Sequence, residues 1–559
     1  MFHVSPVVRH LVRIASCPTL WLLATATVAN AHEGVFPLGG RGSSRPALLR
    51  SVADLASLSL EDLVALVPVQ SGICYTDCPN CEMGTQDRGN FRWTPHRPGQ
   101  ITCADCGAIF PGNERYPDDA AIAVASPAGV QRYHYYERAP DKYRIYFRAH
   151  ADYFAREYMA DKCRDFARLY ALTGDDTYAH RAAAILLRFA EVYPGYAFHY
   201  DYPFRQKIIQ PYTRPRVRGV PAYRTAKWSW WAYMDISLEL AEAYEHLKPW
   251  PQLGSISRGR AVHMVEQDLL GAMGEFVLGF EESSSNMSPG MWRRTILAGR
   301  VLNRPAWVHE AVRRFEHFLQ TQFLYDGHWM ETAPSYGAQV LGGMRSVLDA
   351  AQGYSDPPGY TDAIDGRRFD NLDLANDTRQ YRSAQRALEA PRLPDGRMIP
   401  VNDTWSRGRR SSRARDGMEP VLLPALGVAV LGGGKGDKQY HAHLNFTGGR
   451  QHKHNDALSF GLFAFGQELF RDIGYTHTKY RCWATSTMSH NTVVVNGLES
   501  QGTADWSGNR LRAFATDRRG FHLVDVHSTS AYAGITDRYR RVLIAVGQDS
   551  SDCYLVDIF

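Results

Sequence analysis

Gln451-His452-Lys453-His454-Asn455-Asp456-Ala457-Leu458-Ser459-Phe460 sets two histidines two residues apart just before a compact apolar run, Leu458 to Phe465. In extended backbone, residues two apart share a face, so His452 and His454 point the same way. Gly466-Gln467 reads as a turn, and Glu468 to Asp472 resumes extended. Thr492 to Val495 runs into Asn496-Gly497, a hairpin signal, and Arg541 to Val546 and Cys553 to Phe559 read as further strands. From about residue 418 onward the sequence therefore predicts antiparallel β structure. Asp472 and His490 fall at the edges of these strands. Two His and a carboxylate form a zinc-ligand set, while histidines at strand ends also serve simply as packed side chains. The chain stops inside the last predicted strand, which reads as a sheet with strands still to come.

Upstream the period changes. Phe154, Tyr158, Met159, Cys163, Phe166 and Tyr170 form one helical stripe. Ala182, Ile185, Leu186, Phe189 and Tyr193 form a second, and Tyr233, Ile236, Leu240, Ala243 and Leu247 a third. Thr173-Gly174-Asp175 separates the first two and Pro194-Gly195 stops the second. Further helices are predicted near 259–278, 291–302, 305–323 and 338–352, with a short one near 378–389. Short turns between them indicate stacked helical hairpins. Residues 353–417, rich in Asp, Arg, Gly and Pro, read as the connection to the β region.

The 559 residues are 44% hydrophobic and 22% charged, which excludes disorder and low-complexity scaffolding and implies more than one domain. Sixty-three basic against fifty-eight acidic residues leave a net charge of +5 with no basic run, so nucleic acid is not the expected partner. Twelve Trp, thirty Tyr and twenty-one His suit a surface that stacks on sugar rings and moves protons. Arg9 and Arg13, an apolar run from Leu20 to Val28 and Ala29-Asn30-Ala31 have the pattern of an export signal ending at residue 31. That run is too short to span a bilayer, and no later segment is long enough to do so. The expectation is an exported protein, periplasmic or secreted, without a transmembrane segment. Cys78-Pro-Asn-Cys81 and Cys103-Ala-Asp-Cys106 are two C-x-x-C knuckles, a pattern that holds a structural zinc. Export favours disulfides at the same four positions. Either way the expectation is a staple.

Several ordered motifs carry a resemblance. The H-x-H-x-D-x-L-S-F run at 452–460, Arg471-Asp472-Ile473-Gly474 and Ser489-His490-Asn491-Thr492-Val493 resemble the β-domain of the heparinase II/III-like polysaccharide lyase superfamily, which includes heparin/heparan, other glycosaminoglycan and alginate lyases. Asp326-Gly327-His328-Trp329-Met330-Glu331-Thr332-Ala333-Pro334-Ser335-Tyr336 resembles that family's D-G-x-x-x-E-x-x-x-x-Y segment, and Leu393-Pro394-Asp395-Gly396 also fits. The resemblance spans roughly residues 140 to 559. It implies a multidomain α+β chain with an N-terminal (α/α) toroid of helical hairpins followed by an antiparallel β-sandwich. The expected divisions are a signal at 1–31, a knuckle segment at 32–140, the toroid at 141–390, a linker at 391–417 and the β-sandwich at 418–559.

The implied reaction is β-elimination at a uronic acid. It requires the C5 carboxylate to be neutralised, a base for H5 and an acid for the departing O4. Asn286 stands where the family places its carboxylate-binding Asn, although the next residue, often His in the family, is Met287 here. Tyr336 aligns with the catalytic Tyr and His452 with the His beside the substrate. Tyr480 resembles a second active-site Tyr, with Tyr475 as its competitor. Glu331, Arg205 and Arg293 are the substrate-binding candidates, Glu331 by orienting the Tyr336 segment and Arg205 or Arg293 by binding the acidic sugar. His454, Asp472 and His490 match the family's zinc ligands, with a mainly structural role, and Asp456 is expected to orient a neighbouring His or cap the loop. Without the resemblance, an Asn in a Ser-rich loop is an ordinary cap and a Tyr after Pro-Ser ordinary packing. The leading expectation is a lyase of uronic-acid polysaccharide, glycosaminoglycan first and alginate second. The alternatives are a uronyl C5-epimerase and a non-catalytic carbohydrate-binding protein.

Overall fold

Thr173-Gly174-Asp175 separates two helices as the sequence predicts. Gly174 takes the left-handed conformation (φ 69°) that closes the Phe147–Thr173 helix, and the Asp175 carboxylate caps the Asp176–Val192 helix by accepting from Thr177 N–H at 2.9 Å. The computed structural model describes residues 34–39, 44–81, 90–202, 207–210, 224–377, 379–406, 414–448, 452–476, 480–500 and 508–559. The signal expected at 1–31, and Arg205, lie outside the described residues.

Helices at Phe147–Thr173, Asp176–Val192, Leu238–Leu247, Leu270–Leu278, Ser288–Val301, Pro305–Thr321, Pro334–Ala351 and Arg379–Glu389 form the α region. Their apolar stripes share one core that includes Phe166, Phe189, Leu240, Trp292, Phe315 and Val347. One expected helix is broken. The 259–278 stretch follows Ser257 and Arg258, both at positive φ, and passes through a π-helical turn, Met264–Leu269, before the regular Leu270–Leu278 helix. The Glu266 carbonyl is taken by the Arg304 guanidinium at 3.2 Å and its carboxylate by Tyr244 Oη–H at 2.6 Å, a local cause for widening the ladder.

Ahead of the helices lie two three-stranded antiparallel sheets, Phe91–Arg92/Ile101–Cys103/Ile109–Phe110 and Ala120–Ser126/Gly129–Arg138/Tyr143–Ile145. Behind them, Val421–Leu423, Val428–Gly433, Tyr440–Asn445, Ser459–Ala464 and Gln467–Phe470 make a five-stranded meander. Asn509–Thr516, Phe521–Ser528, Tyr539–Val546 and Tyr554–Ile558 make a second sheet of four strands. Leu431, Ala442 and Leu444 of the first sheet pack against Val524, Val526 and Leu543 of the second. This is the antiparallel β-sandwich, and it follows the helices as anticipated.

Thr492–Val495 is not a strand. Thr492 Oγ1 donates instead to the Ala457 carbonyl at 2.8 Å, and the Asn491 amide caps the carbonyls of Phe460 and Arg471, both at 3.1 Å. Asn496 and Gly497 do take positive φ, so the turn chemistry holds, but the turn joins no ladder.

The two halves interlock. Asp326 Oδ2 accepts from the Ala425 and Leu426 N–H groups at 3.0 and 2.8 Å, Ser335 Oγ donates to the Asp403 carbonyl at 2.8 Å, and the Asn402 amide donates to the Thr332 carbonyl at 3.1 Å. Trp405 pairs with Gly474 as an isolated antiparallel bridge. At Gly474 (φ 65°) a Cβ would fall 2.2 Å from the Thr404 carbonyl oxygen, so only glycine fits this approach. Gly474→Ala is therefore expected to cost on the order of 2–3 kcal/mol in chemical denaturation, combining the φ penalty with the backbone clash. A change below about 0.5 kcal/mol would mean that the bridge is not stabilising.

Candidate active site

Tyr336 enters from the first turn of the Pro334–Ala351 helix, where Pro334 pre-sets the backbone. Its ring stacks on the His452 imidazole with centroids 3.7 Å apart, so the pair spans the helical and β regions. His452 has φ 57° and Thr332 φ 61°; for β-branched Thr332 that conformation is strained. Burial, then Tyr475, Asp403 and Glu331, push the Tyr336 hydroxyl far above its ordinary range, so it stays protonated at any physiological pH.

The His452 ring is held by Asp403. Nδ1 lies 2.8 Å from Asp403 Oδ2, which fixes the proton on Nδ1 and leaves the Nε2 lone pair available, an assignment that follows from the hydrogen-bond network. Arg481 grips the same carboxylate with both terminal nitrogens, at 3.0 and 2.7 Å, and His454 Nε2 lies 3.0 Å from Oδ1. Burial opposes charge on Asp403, but His452, His454 and Arg481 outweigh it and hold the carboxyl well below the usual carboxylate range.

Asn286 sits just ahead of the Ser288–Val301 helix. Its amide donates to Gln339 Oε1 at 3.3 Å, one helical turn beyond Tyr336, so the Asn and the Tyr lie along the same helix. Gln339 also reaches the Met287 sulfur at 3.6 Å. Glu331 is buried, accepts from Trp329 Nε1–H at 2.8 Å and stands 3.8 Å from His452 Nε2. Arg293 is half-buried farther along the Asn286 helix, where burial and Arg294 depress its pKa, while Glu239 and Asp349 oppose that shift.

Tyr480 is 63% exposed at the head of the short Arg481–Ala484 helix, whereas Tyr475 meets the Tyr336 ring edge-on at 6.1 Å. Tyr475 also packs against Trp405 at 4.8 Å and lies under the Arg481 guanidinium at 5.0 Å. Of the two tyrosines, the structure puts Tyr475 against Tyr336. Asp403, Trp405 and Arg481 carried no signal in the sequence. Asp403 lies in the 391–417 stretch read as a linker, and only the fold brings it to His452.

His454, Asp472 and His490 converge, with His454 Nδ1 3.2 Å from His490 Nε2 and His490 Nε2 3.5 Å from Asp472 Oδ1. The outer nitrogen of each imidazole is engaged, His454 Nε2 by Asp403 and His490 Nδ1 by the Ser486 carbonyl at 2.7 Å. Three ligand atoms thus face one point. Burial works against protonating His490, yet Asp472 and Asp456 push its pKa up to about 9, so in the metal-free protein a proton supplies positive charge there. Two imidazoles with engaged outer nitrogens and one carboxylate fit a divalent ion such as zinc. Asp456 itself accepts from the Asn445 amide at 2.6 Å.

Residues 440–556 match the family described as heparinase II/III-like, C-terminal. Residues 440–556 thus form a β-domain similar to the heparinase II/III-like family. Among solved structures, a heparinase III gene product matches 72% of this chain and 64% of its own at 15% identity, with a TM-score of 0.50. A second heparinase III structure gives 72%, 62%, 15% and 0.49, and a heparan sulfate lyase from Pedobacter heparinus 73%, 62%, 14% and 0.46. The chain thus spans less than two thirds of the length of these proteins, and at such identity the likeness is one of fold. No curated protein sequence matches the chain. Among the described residues, no helix is long and apolar enough to cross a membrane.

Asp403→Ala should cost about 3–5 kcal/mol at neutral pH, because it strips a buried carboxylate from Arg481 and two histidines. With its folded-state pKa depressed, Asp403 contributes fully above the unfolded value of about 3.9 and loses that contribution as pH falls through the folded value. The stability gap between wild type and Asp403→Ala, followed by denaturation across pH 2–7, should therefore be widest at neutral pH and narrow below about pH 4. A gap that widens on acidification would contradict the assignment.

Proposed function

We propose that the chain is an exported polysaccharide lyase that cleaves a uronic-acid polymer, a glycosaminoglycan in the first instance, by β-elimination. The observation that carries this reading is the stacked Tyr336–His452 pair, with His452 braced by Asp403 and the Asn286 amide alongside the Tyr336 helix. Asn286 is suited to hydrogen-bond the C5 carboxylate without adding a charge, which makes H5 acidic. His452, with Nδ1 engaged by Asp403, offers Nε2 to H5. As the C5–H bond breaks, C4=C5 forms and the C4–O4 bond breaks. Tyr336, kept protonated by burial, donates its proton to the departing O4 and is reset by the proton on His452. Trp405 and Tyr475 offer aromatic faces for sugar rings. Glycosaminoglycan comes first because the structural neighbour with the highest TM-score given above is a heparinase III.

In the same reading His454, Asp472 and His490 hold a zinc ion, whose charge, when bound, fixes the loop carrying His454. Asp403 hydrogen-bonds both His454 and His452, so it passes that order to the reacting imidazole. Restoring zinc to the chelated protein should raise the melting temperature of the wild type more than that of His490→Ala; equal shifts in the two would remove the ion from this site.

The test of the reaction is ultraviolet absorbance of the 4,5-unsaturated product during incubation with heparan sulfate, hyaluronan, chondroitin sulfate and alginate. Wild type should give a rise with at least one polymer. Tyr336→Phe should lose on the order of 10²–10⁴-fold in kcat with its fold intact. Near-wild-type turnover by Tyr336→Phe would take that residue out of the mechanism, and a flat wild-type trace on all four polymers would overturn the substrate class.

A further inference from the structure

Far from Tyr336 in sequence, four sulfurs meet in the segment that precedes the helices. Cys78 Sγ lies 3.7 Å from Cys106 Sγ and Cys81 Sγ 3.6 Å from Cys103 Sγ, with all four within 4.8 Å of one another. A disulfide would bring a pair to about 2.05 Å and would give the second pair no reason to join it. A tetrahedral ion with metal–sulfur bonds of about 2.3 Å sets its ligands about 3.8 Å apart, close to the 3.6 and 3.7 Å of these two pairs. Each knuckle is a tight turn that aims both of its sulfurs inward. Cys81 N–H bonds the Cys78 carbonyl at 3.2 Å, Gly107 N–H bonds the Cys103 carbonyl at 2.9 Å, and Gly107 has φ 74°. Cys103 N–H returns to the Ala108 carbonyl at 2.8 Å, closing the second loop.

We infer that Cys78, Cys81, Cys103 and Cys106 bind one zinc ion as a tetrathiolate, and that this ion holds the segment capping the first long helix. The strands around it are two or three residues long, too short to stand as a sheet by themselves. Their apolar residues lie on the Phe147–Thr173 helix, with Phe110 stacked on Phe147 at 4.3 Å, Phe91 edge-on to His150 at 5.4 Å and Trp93 tilted on Tyr158 at 5.3 Å. The chain just before the first knuckle is tied to the same helix, because Ile73 N–H bonds the Ala149 carbonyl and His150 Nδ1 the Ile73 carbonyl, both at 2.8 Å. Tyr75, between those ties and Cys78, packs edge-on against Trp230 at 5.2 Å. Loss of the ion would release a cover from one whole face of the helix. Soft thiolates select zinc over magnesium or calcium, and no open coordination position remains, so the role is structural. This inference is independent of the proposed lyase activity.

Native mass spectrometry and elemental analysis of the full chain test it, with thiol counting before and after denaturation in chelator. One zinc equivalent should disappear in Cys103→Ser/Cys106→Ser and remain in His490→Ala. If the serine variant does not fold, cobalt substitution of the wild type decides, because a tetrathiolate gives thiolate-to-cobalt charge-transfer bands that a His/Asp site lacks. Two disulfides among these four cysteines, zinc content unchanged in a folded serine variant, or cobalt spectra without thiolate bands would each overturn the inference.

Discussion

One buried carboxylate joins the parts of this site. Asp403 accepts from Arg481 twice, from His452 and from His454, and its own backbone N–H bonds the His452 carbonyl at 2.9 Å. A charge this deeply buried persists only when fully paired, so its partners must all be in place together. The orientation of His452, the tautomer of His454 and the seating of Arg481 over Tyr475 therefore depend on one residue. His452 in turn supplies the face on which Tyr336 stacks.

The interface between the helical and β regions is built around that residue. Asn402, one position earlier, binds the Thr332 carbonyl, and Ser335, one position before Tyr336, binds the Asp403 carbonyl. Thr332 and His452 keep positive φ because these neighbours fix the backbone on both sides. Strain of this kind is tolerated where contacts over-determine it, and the site has such contacts from both halves.

Much of this was legible in the chain. The helical stripes, the Gly174 cap and the Leu458–Phe465 strand follow from periodicity and turn chemistry, which are local. His452, His454, Asp472, His490 and Tyr336 stood out because they fall in ordered motifs. What the sequence hid is what depends on distant packing. Asp403 lies in a Gly/Pro/Asp-rich stretch, where a carboxylate is ordinarily a turn residue. Tyr475 and Tyr480 are five residues apart with no local feature to rank them, and only the Trp405–Gly474 bridge puts Tyr475 against Tyr336. The 259–278 break and the unpaired Thr492–Val495 stretch have the same origin, since Arg304, Tyr244 and Ala457 impose on each a bond that local propensity does not contain.

The stacking of Tyr336 on His452 across two separate hydrophobic cores has a consequence for the life of the chain. Neither core, formed alone, contains the pair, and the strap carrying Asp403 reaches its place only once both are present. A nascent or half-folded molecule therefore lacks the assembled Tyr336–His452 pair. Completion of folding itself is thus the step that assembles the site.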